Sequence, residues 1–407
     1  MEHTIPFPAT TIKLENGIEL VKGENGDQSP AWLIWGGTDD LLAPSQFKLE
    51  SGKAGYNTIA DLVRVTDVLR LMAESLRRSW SRNVEPYAVV VGKHGNPCGA
   101  AISYDSPLEA INGALNGDPI AGMGGEAITN FPIDEKEAVA LRTNASGIPH
   151  ENWGLDFIAA PEFSPNAIEH LRKKGDGERM LFSNRALRSS PFPYDEWVVK
   201  PAGADWLCQK APRFILTPEN VMVWSGGKQM TEEQFENAII VFSCVWRAVS
   251  NTVGLANNRM LIGLGAGQQD RKDCTRLCIH KANLSGHDTR GSVFGSDGFI
   301  PYATSTARWT DSEAEECIEA LESAKNKVLT WPGSQREASK ALAHVSAIIS
   351  RMDKREPGEL LIDAGCVGGI VPYDGKRREE VRQLFEKSGL AVGFVDASHR
   401  GFSRHAG

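Results

Sequence analysis

The stretch Tyr87-Ala88-Val89-Val90-Val91-Gly92-Lys93-His94-Gly95-Asn96-Pro97-Cys98-Gly99 decides the fold class and the candidate chemistry of this chain. Its first five residues form an apolar run, which predicts a buried strand. Glycines and a proline then recur from Gly92 to Gly99, which predicts a tight loop. A loop that follows a strand and carries an ammonium and an imidazole is typical of an α/β enzyme. The alternative interpretation is a surface turn with two incidental polar residues.

The length and composition describe a soluble globular protein with room for two or three cores. The chain has 407 residues, of which 41% are hydrophobic and 24% charged. Its net charge of -8 argues against a general nucleic-acid surface. The seven cysteines are odd in number and widely spaced, which fits no disulfide framework. The first residues lack the pattern of a signal peptide, and the longest apolar run, 238–246, is too short to span a bilayer. We therefore expect a reduced, cytoplasmic protein without a membrane role.

Strand and helix patterns alternate on both sides of the opening stretch. Apolar residues recur at spacings of three and four from Leu62 to Leu76, which predicts an amphipathic helix. Capping boxes at Thr231 and Ser334 predict the starts of helices that run to about 250 and 351. Short apolar runs predict further strands, among them 156–160, 252–255, 260–264, 360–363, 369–371 and 391–395. The simplest architecture is an α/β fold of two similar lobes, residues 1–205 and residues 206–407.

A zinc site is the first chemistry to weigh, because Pro97-Cys98 is similar to part of the zinc deaminase motif. That motif needs a second cysteine three residues later and an upstream His-x-Glu, whereas position 101 is alanine and no such His-x-Glu precedes it. Cys274 and Cys278 lie four apart on a predicted helix without a second ligand pair, so we interpret them as buried thiols. The sequence predicts no metal ligands.

A glycine-rich loop at 263–269 follows a predicted strand and precedes a predicted helix that begins near Arg271. Such a loop suits an anion at a helix N-terminus, and it suits a simple tight turn equally well. Asn251 opens the preceding strand, and Asp297 lies on a later loop with aromatic flanks. Aromatic residues there suit a flat ligand, although core packing is their commoner role.

Taken together, these motifs resemble the transformylase domain of the bifunctional purine-biosynthesis enzymes. The resemblance runs collinearly from about residue 12 to the end of the chain. It rests on the segments Lys93-His94-Gly95-Asn96-Pro97-Cys98-Gly99, Asp118 to Gly125, Ser250 to Arg271, Gly291 to Tyr302 and Arg400-Gly401-Phe402. The resemblance implies two cytidine-deaminase-like α/β lobes, a duplicated three-layer fold without the zinc.

The resemblance also implies an activity, namely formyl transfer from 10-formyl-tetrahydrofolate to the 5-amino group of aminoimidazole carboxamide ribotide (AICAR). It implies a homodimer with sites at the interface, and a bound monovalent cation. The residues that it marks are the catalytic Lys93, His94 and Asn251; the substrate-binding Lys22, Gly124, Asp156, Arg271, Phe299, Arg400 and Phe402; and the folate-binding Asp297, Pro301 and Tyr302.

The chemistry of this reaction fits the opening stretch. The AICAR amine is a weak nucleophile because its lone pair is delocalised, so a base must take its proton as it attacks the formyl carbon. An imidazole suits neutral pH, and an ammonium suits both the oxyanion and the departing folate nitrogen. We therefore interpret His94 as the base and Lys93 as the acid or electrostatic stabiliser.

The chain departs from the family pattern in three places. An arginine and a tyrosine that grip the phosphate are replaced in Val21-Lys22, where Lys22 can supply only a point charge. Tyr56-Asn57-Thr58 replaces Tyr-Asn-Asn, and Thr304 replaces a carboxylate used around the folate. The cyclohydrolase half of the bifunctional enzymes is not in this sequence, so we expect a stand-alone transformylase with a separate IMP cyclohydrolase. A formyltransferase for another amine and a non-catalytic folate or purine-ribotide sensor are the alternatives.

Overall fold

The computed structural model describes most of the chain. The described residues are 17–25, 27–34, 39–80, 84–143, 154–174, 177–192, 197–202, 205–212, 214–302, 311–329, 339–340, 343, 345, 355–399 and 401. The predicted capping box at Ser334 and most of the helix that it should begin lie outside these ranges.

The described secondary structure alternates between helices and strands, as the sequence predicts. The helices are α1 (Tyr56–Ser79), α2 (Pro107–Asn116), α3 (Glu135–Thr143), α4 (Pro165–Arg172), α5 (Glu232–Val245), α6 (Arg271–Leu284), α7 (Asp311–Leu329), α8 (Pro357–Asp363) and α9 (Arg378–Lys387). The strands are β1 (Gly17–Leu20), β2 (Ala31–Ile34), β3 (Lys48–Ser51), β4 (Tyr87–Lys93), β5 (Asn96–Ser103), β6 (Glu126–Thr129), β7 (Phe157–Ala160), β8 (Lys173–Lys174), β9 (Gly177–Glu178), β10 (Met180–Ser183), β11 (Trp197–Ala202), β12 (Asp205–Lys210), β13 (Val223–Trp224), β14 (Val253–Asn257), β15 (Met260–Gly265), β16 (Val293–Ser296), β17 (Gly368–Pro372) and β18 (Ala391–Val395).

Twelve of the described strands form one mixed sheet, to which each half of the chain contributes six neighbouring strands. The order is β13-β18-β17-β16-β14-β15-β5-β4-β6-β7-β10-β3. Outward from its centre, each half repeats one pattern of a hairpin, an antiparallel strand, two parallel strands and an antiparallel edge strand. The two halves meet where β15 pairs with β5. The α/β prediction is confirmed, whereas a lobe boundary at residue 205 stays a prediction.

The sheet has helices on both faces, because side chains alternate between the two sides of each strand. On one face, α1 and α5 share a core that includes Val90, Ile128 and Phe242. On the opposite face, α2 and α4 cover the first half, and α6, α8 and α9 cover the second half. Val89 and Val91 belong to that opposite face, one residue out of phase with Val90.

Two local predictions were wrong, and a third was wrong in where its helix ends. Residues 360–363 lie in α8 instead of a strand, because Pro357 occupies the first turn and Glu356 forms a capping box with Glu359. The predicted loop from Gly92 to Gly99 is a hairpin with only His94 and Gly95 between the paired strands. The helix from the Thr231 capping box is present, but it ends at Val245, before the predicted end near residue 250.

Candidate active site

The candidate site lies along one edge of the sheet. At this edge β4, β15, β16, β17 and β18 end, and β5, β6, β7 and β14 begin. Asp156 directly precedes β7, and Asp297 directly follows β16. The pairing of strands therefore collects predicted site residues from distant parts of the sequence. A cavity lined by Trp80, Tyr104 and other residues opens beside the start of β4, at the other edge, and is not part of this site.

The tip of the β4–β5 hairpin presents His94. His94 and Gly95 are the two central residues of the turn and have φ values of 51° and 72°. Positive φ at both central positions is the requirement of a type I′ turn, which matches the twist of paired strands. Glycine adopts this conformation freely, whereas histidine does so at a cost of about 1 kcal/mol. The His94 side chain is exposed at the tip.

Lys93 is anchored beside the turn by residues 118–125, the glycine segment. Its Nζ donates a hydrogen bond to the Met123 carbonyl, and a side chain placed on Gly124 would begin 3.9 Å from that nitrogen. Gly124 has φ 68° and donates its N–H to the Gly154 carbonyl at 2.8 Å. The Asp156 N–H is bound to the Gly125 carbonyl at 2.6 Å. The structure therefore brings together Lys93, Gly124 and Asp156, three of the predicted site residues.

A buried carboxyl group lies behind Lys93. Glu126 pairs with Gly92 in the β6–β4 ladder and is only 3% exposed, and its Oε1 has no hydrogen-bond partner in the described residues. Burial, followed by the charges of Asp61 and Asp156, raises the pKa of Glu126 to about 8. A carboxyl group with this pKa is mostly protonated at neutral pH. No sequence motif predicted this role for Glu126, although a glutamate among apolar strand residues was a usable signal.

A second group of predicted residues is held together by Arg271. Its Nη2 donates to Asn251 Oδ1 at 2.7 Å, and its Nη1 donates to Asp297 Oδ1 and, at 3.0 Å, to the Thr252 carbonyl. Asn251 in turn donates to the carbonyls of Gln268 and Gln269 at 2.8 and 3.1 Å. Both N–H groups of the Asn251 amide are thus engaged by the glycine-rich loop.

Asp297 lies in the interior. It is fully buried, and its Oδ1 also accepts the Thr252 N–H at 3.0 Å. Its carbonyl accepts the Gly401 N–H at 2.8 Å, which places Gly401 beside it. This geometry favours a supporting role for Asp297, while its predicted contact with folate stays a prediction. Arg271 is likewise buried and committed to protein partners.

The two groups are joined through Asn96. Its Oδ1 accepts a hydrogen bond from the Val249 N–H at 3.0 Å, and the carbonyl of Val249 accepts the Gly267 N–H at 2.7 Å. The hairpin of the first half is therefore fixed to the segment that leads into Asn251. Sequence motifs alone did not indicate this role for Asn96.

The remaining predicted residues are more scattered. Phe299 packs over Gly375, and the Arg377 guanidinium lies 5.1 Å from the centroid of the Tyr302 ring, one residue after Pro301. Lys22 is exposed beside the start of α1, where its carbonyl accepts the Tyr56 N–H at 3.1 Å. Arg400 and Phe402 lie outside the described residues, so their predicted contacts stay predictions.

The cysteines of the site are thiols at neutral pH. Burial raises the pKa of Cys274 to about 12, and it raises the pKa of Cys98 still further. Cys274 Sγ lies 3.2 Å from the carbonyls of Asn251 and Gly265. Cys274 and Cys278 are both fully buried, which agrees with their interpretation as core residues. In the described part of the chain, no group of three or more histidine, cysteine, aspartate or glutamate side chains is arranged to hold a metal ion.

Comparison with known proteins finds relatives that are named purine biosynthesis proteins. The bifunctional purine biosynthesis protein PurH of Chlorobaculum parvum is 30% identical over 298 residues, which cover 72% of this chain and 51% of that protein. PurH of Ruminiclostridium cellulolyticum is 27% identical over 330 residues, 81% of this chain and 56% of that protein. The chain spans about half the length of these curated relatives.

The family model described as the AICARFT/IMPCHase bienzyme matches residues 2–281. This range includes the β4–β5 hairpin, the glycine segment, Asn251 and Arg271. None of the helices in the described residues is both long and apolar enough to cross a membrane. With more than half of its length matched, this chain belongs to the AICARFT/IMPCHase bienzyme family.

Proposed function

We propose that this chain transfers a formyl group from 10-formyl-tetrahydrofolate to the 5-amino group of AICAR. The observation that carries the proposal is the hairpin turn, which presents His94 beside the anchored Lys93 and is tied through Asn96 to the segment that leads into Asn251. The family match and the relatives named purine biosynthesis proteins support it.

In the proposed reaction, the AICAR amine attacks the formyl carbon while His94 takes the amine proton. The tetrahedral intermediate carries an oxyanion, which the Lys93 ammonium stabilises. The bond between the carbon and N10 then breaks, and Lys93 supplies a proton to N10. The products are formyl-AICAR and tetrahydrofolate, and solvent restores the protonation states of His94 and Lys93.

Asn251 contributes to this reaction by its place in the hydrogen-bond network more than by donating a hydrogen bond to the substrate. Both of its N–H groups are bound to backbone carbonyls, and Arg271 holds its oxygen. A direct hydrogen bond from Asn251 to the oxyanion would require the substrate to displace one of these carbonyls. The ammonium of Lys93 is therefore the main electrostatic partner of the oxyanion in this proposal.

The family resemblance carries further expectations into the proposal. The repeated six-strand pattern supports two cytidine-deaminase-like lobes, and we infer a homodimer in which both subunits contribute to each site. A monovalent cation would find suitable oxygen atoms at Asp297 Oδ2 and Ser296 Oγ, which are buried and lack hydrogen-bond partners in the described residues. Such an ion would offset the buried carboxylate and hold this part of the second half.

The direct test is to mix the purified protein with AICAR and 10-formyl-tetrahydrofolate, follow the release of tetrahydrofolate and identify the product by mass. Formyl-AICAR as the end product supports the proposal and the expectation of a separate cyclohydrolase, whereas inosine monophosphate would contradict that expectation. Turnover with another amine, and none with AICAR, would contradict the proposed acceptor. Binding of both ligands without turnover would favour the sensor alternative.

A further inference from the structure

Arg64 is a charged residue at the candidate site to which neither the motifs nor the proposed mechanism gives a role. It lies on α1, seven residues after Asn57 and three after Asp61, so the three side chains share one face of the helix. Its Nη1 donates to the His94 carbonyl at 3.4 Å. A Cβ placed on Gly95 would overlap the same nitrogen. The guanidinium therefore lies directly against the tip of the catalytic hairpin.

The donors of Arg64 are only partly used. Nε and Nη2 make no hydrogen bond with the described residues, and the side chain is 31% exposed. Asp61 Oδ1 lies 4.0 Å from Nη1, which is an ion pair without direct hydrogen-bond geometry. By contrast, Lys93 is bound to the Met123 carbonyl, and Arg271 is buried among protein partners.

The charge around the first group of site residues makes Arg64 important for an anionic substrate. The charges of Asp61 and Asp156 act on the same buried Glu126 carboxyl as those of Lys93 and Arg64, so without Arg64 the Lys93 ammonium would face these two carboxylates alone among these four charges. A phosphate is a dianion at neutral pH, so it would be repelled there. A guanidinium offers two parallel N–H groups that match phosphate oxygens, which an exposed lysine such as Lys22 cannot do.

We propose that Arg64 binds the phosphate group of the ribotide substrate through its Nε and Nη2 edge while its Nη1 remains on the His94 carbonyl. The inference rests on the proposed function, because it takes the acceptor to be a phosphorylated ribotide. Arg64 then determines specificity by discriminating a ribotide from the corresponding riboside. It acts on substrate binding and leaves proton transfer to Lys93 and His94.

The test compares the wild type with Arg64→Met and Arg64→Lys, with AICAR and its dephosphorylated riboside as acceptors. We expect Arg64→Met to raise KM for AICAR about 10- to 100-fold, with little change in kcat or in KM for the folate. The preference for ribotide over riboside should fall by the same factor, and Arg64→Lys should restore part of it. Arg185→Met is the matched control, since Arg185 is 84% exposed and lies on another segment.

Calorimetric titration with AICAR, without folate, separates this inference from the proposed function. Binding that weakens in Arg64→Met supports the inference even if the wild type shows no formyl transfer. An unchanged preference for ribotide over riboside in an active Arg64→Met enzyme would overturn the inference and leave the proposed function intact. A fall in kcat at constant KM would also overturn it, because Arg64 would then only hold the hairpin turn.

Discussion

The Oδ1 of Asn96 accepts the backbone N–H of Val249 at 3.0 Å, and this bond fixes the β4–β5 hairpin to the segment that leads into Asn251. The two residues are 153 positions apart in the sequence. Asn96 also opens β5, directly after His94 and Gly95. The spacing between the two groups of site residues therefore depends on this side chain.

We expect Asn96→Ala to lower both stability and turnover. The Val249 N–H would lose its partner in a partly buried position, which costs about 1–2 kcal/mol. Asn96→Asp keeps an acceptor oxygen, so it should retain more stability. Thermal unfolding and kcat report the two effects. Wild-type kcat in a folded Asn96→Ala protein would show that the two groups keep their spacing without this bond.

Gly95→Ala should destabilise the hairpin for two reasons. The residue has φ 72°, and the new Cβ would collide with the Arg64 guanidinium. The expected loss in the free energy of unfolding is about 1–3 kcal/mol, with a lower kcat because the turn shifts. Urea unfolding and steady-state kinetics measure the two changes.

Gly389→Ala is the control for that experiment. Gly389 has φ 70°, but a Cβ added there would meet nothing within 4 Å, so the substitution carries only the backbone cost of about 1 kcal/mol. If Gly95→Ala loses no more stability than Gly389→Ala, the Arg64 guanidinium moves aside freely and does not constrain the turn.

Local patterns in the sequence were sufficient for much of the fold. The Thr231 capping box and the apolar run of β18 appear as predicted, because caps and buried strands depend on residues close in sequence. Residues 360–363 form a helix because Pro357 and the Glu356–Glu359 box set its start, a signal that outweighs a short apolar run. The β4–β5 hairpin was missed because pairing between strands overrides the low strand propensity of glycine and proline.

The candidate site was only partly predictable, because only some of its residues stand in local sequence motifs. Lys93, Asn251 and Arg271 stand in recognisable sequence motifs. The importance of Arg64 and Glu126, by contrast, depends on contacts that α1 and β6 make with the hairpin. No local spacing indicates that Arg64 reaches Gly95. The burial of Arg271 and Asp297 likewise depends on how the second half packs.

Single substitutions test the proposed catalytic roles of His94 and Lys93. We expect His94→Gln to lower kcat by about 100- to 10,000-fold, because the general base is lost while the turn is kept. Lys93→Met should give a loss of similar size, because the oxyanion and N10 lose their cation. Rapid-quench measurement of formyl-AICAR reports the chemical step, and retained activity in either folded variant would remove that residue from the mechanism. Arg142→Met, an exposed change on α3, controls for general effects of losing a cation.

Glu126 should make the stability of the protein depend on pH. Its pKa is about 8 in the folded state and near 4.3 in an unfolded chain, so the folded state binds the proton more tightly. The stabilising contribution is therefore fully present below about pH 4.3, falls as the pH rises, and is lost above about pH 8. The upper bound of this contribution is about 5 kcal/mol.

We expect Glu126→Gln to remove this dependence, because a buried amide of the same shape does not ionise. Between about pH 5 and 8.5, the melting temperature of the wild type should decline relative to that of the variant. Glu219→Gln, an exposed change, should leave the wild-type profile intact. If the melting temperatures of the wild type and Glu126→Gln instead change with pH in the same way across this range, Glu126 keeps one protonation state. Its charge could then not vary beside Lys93.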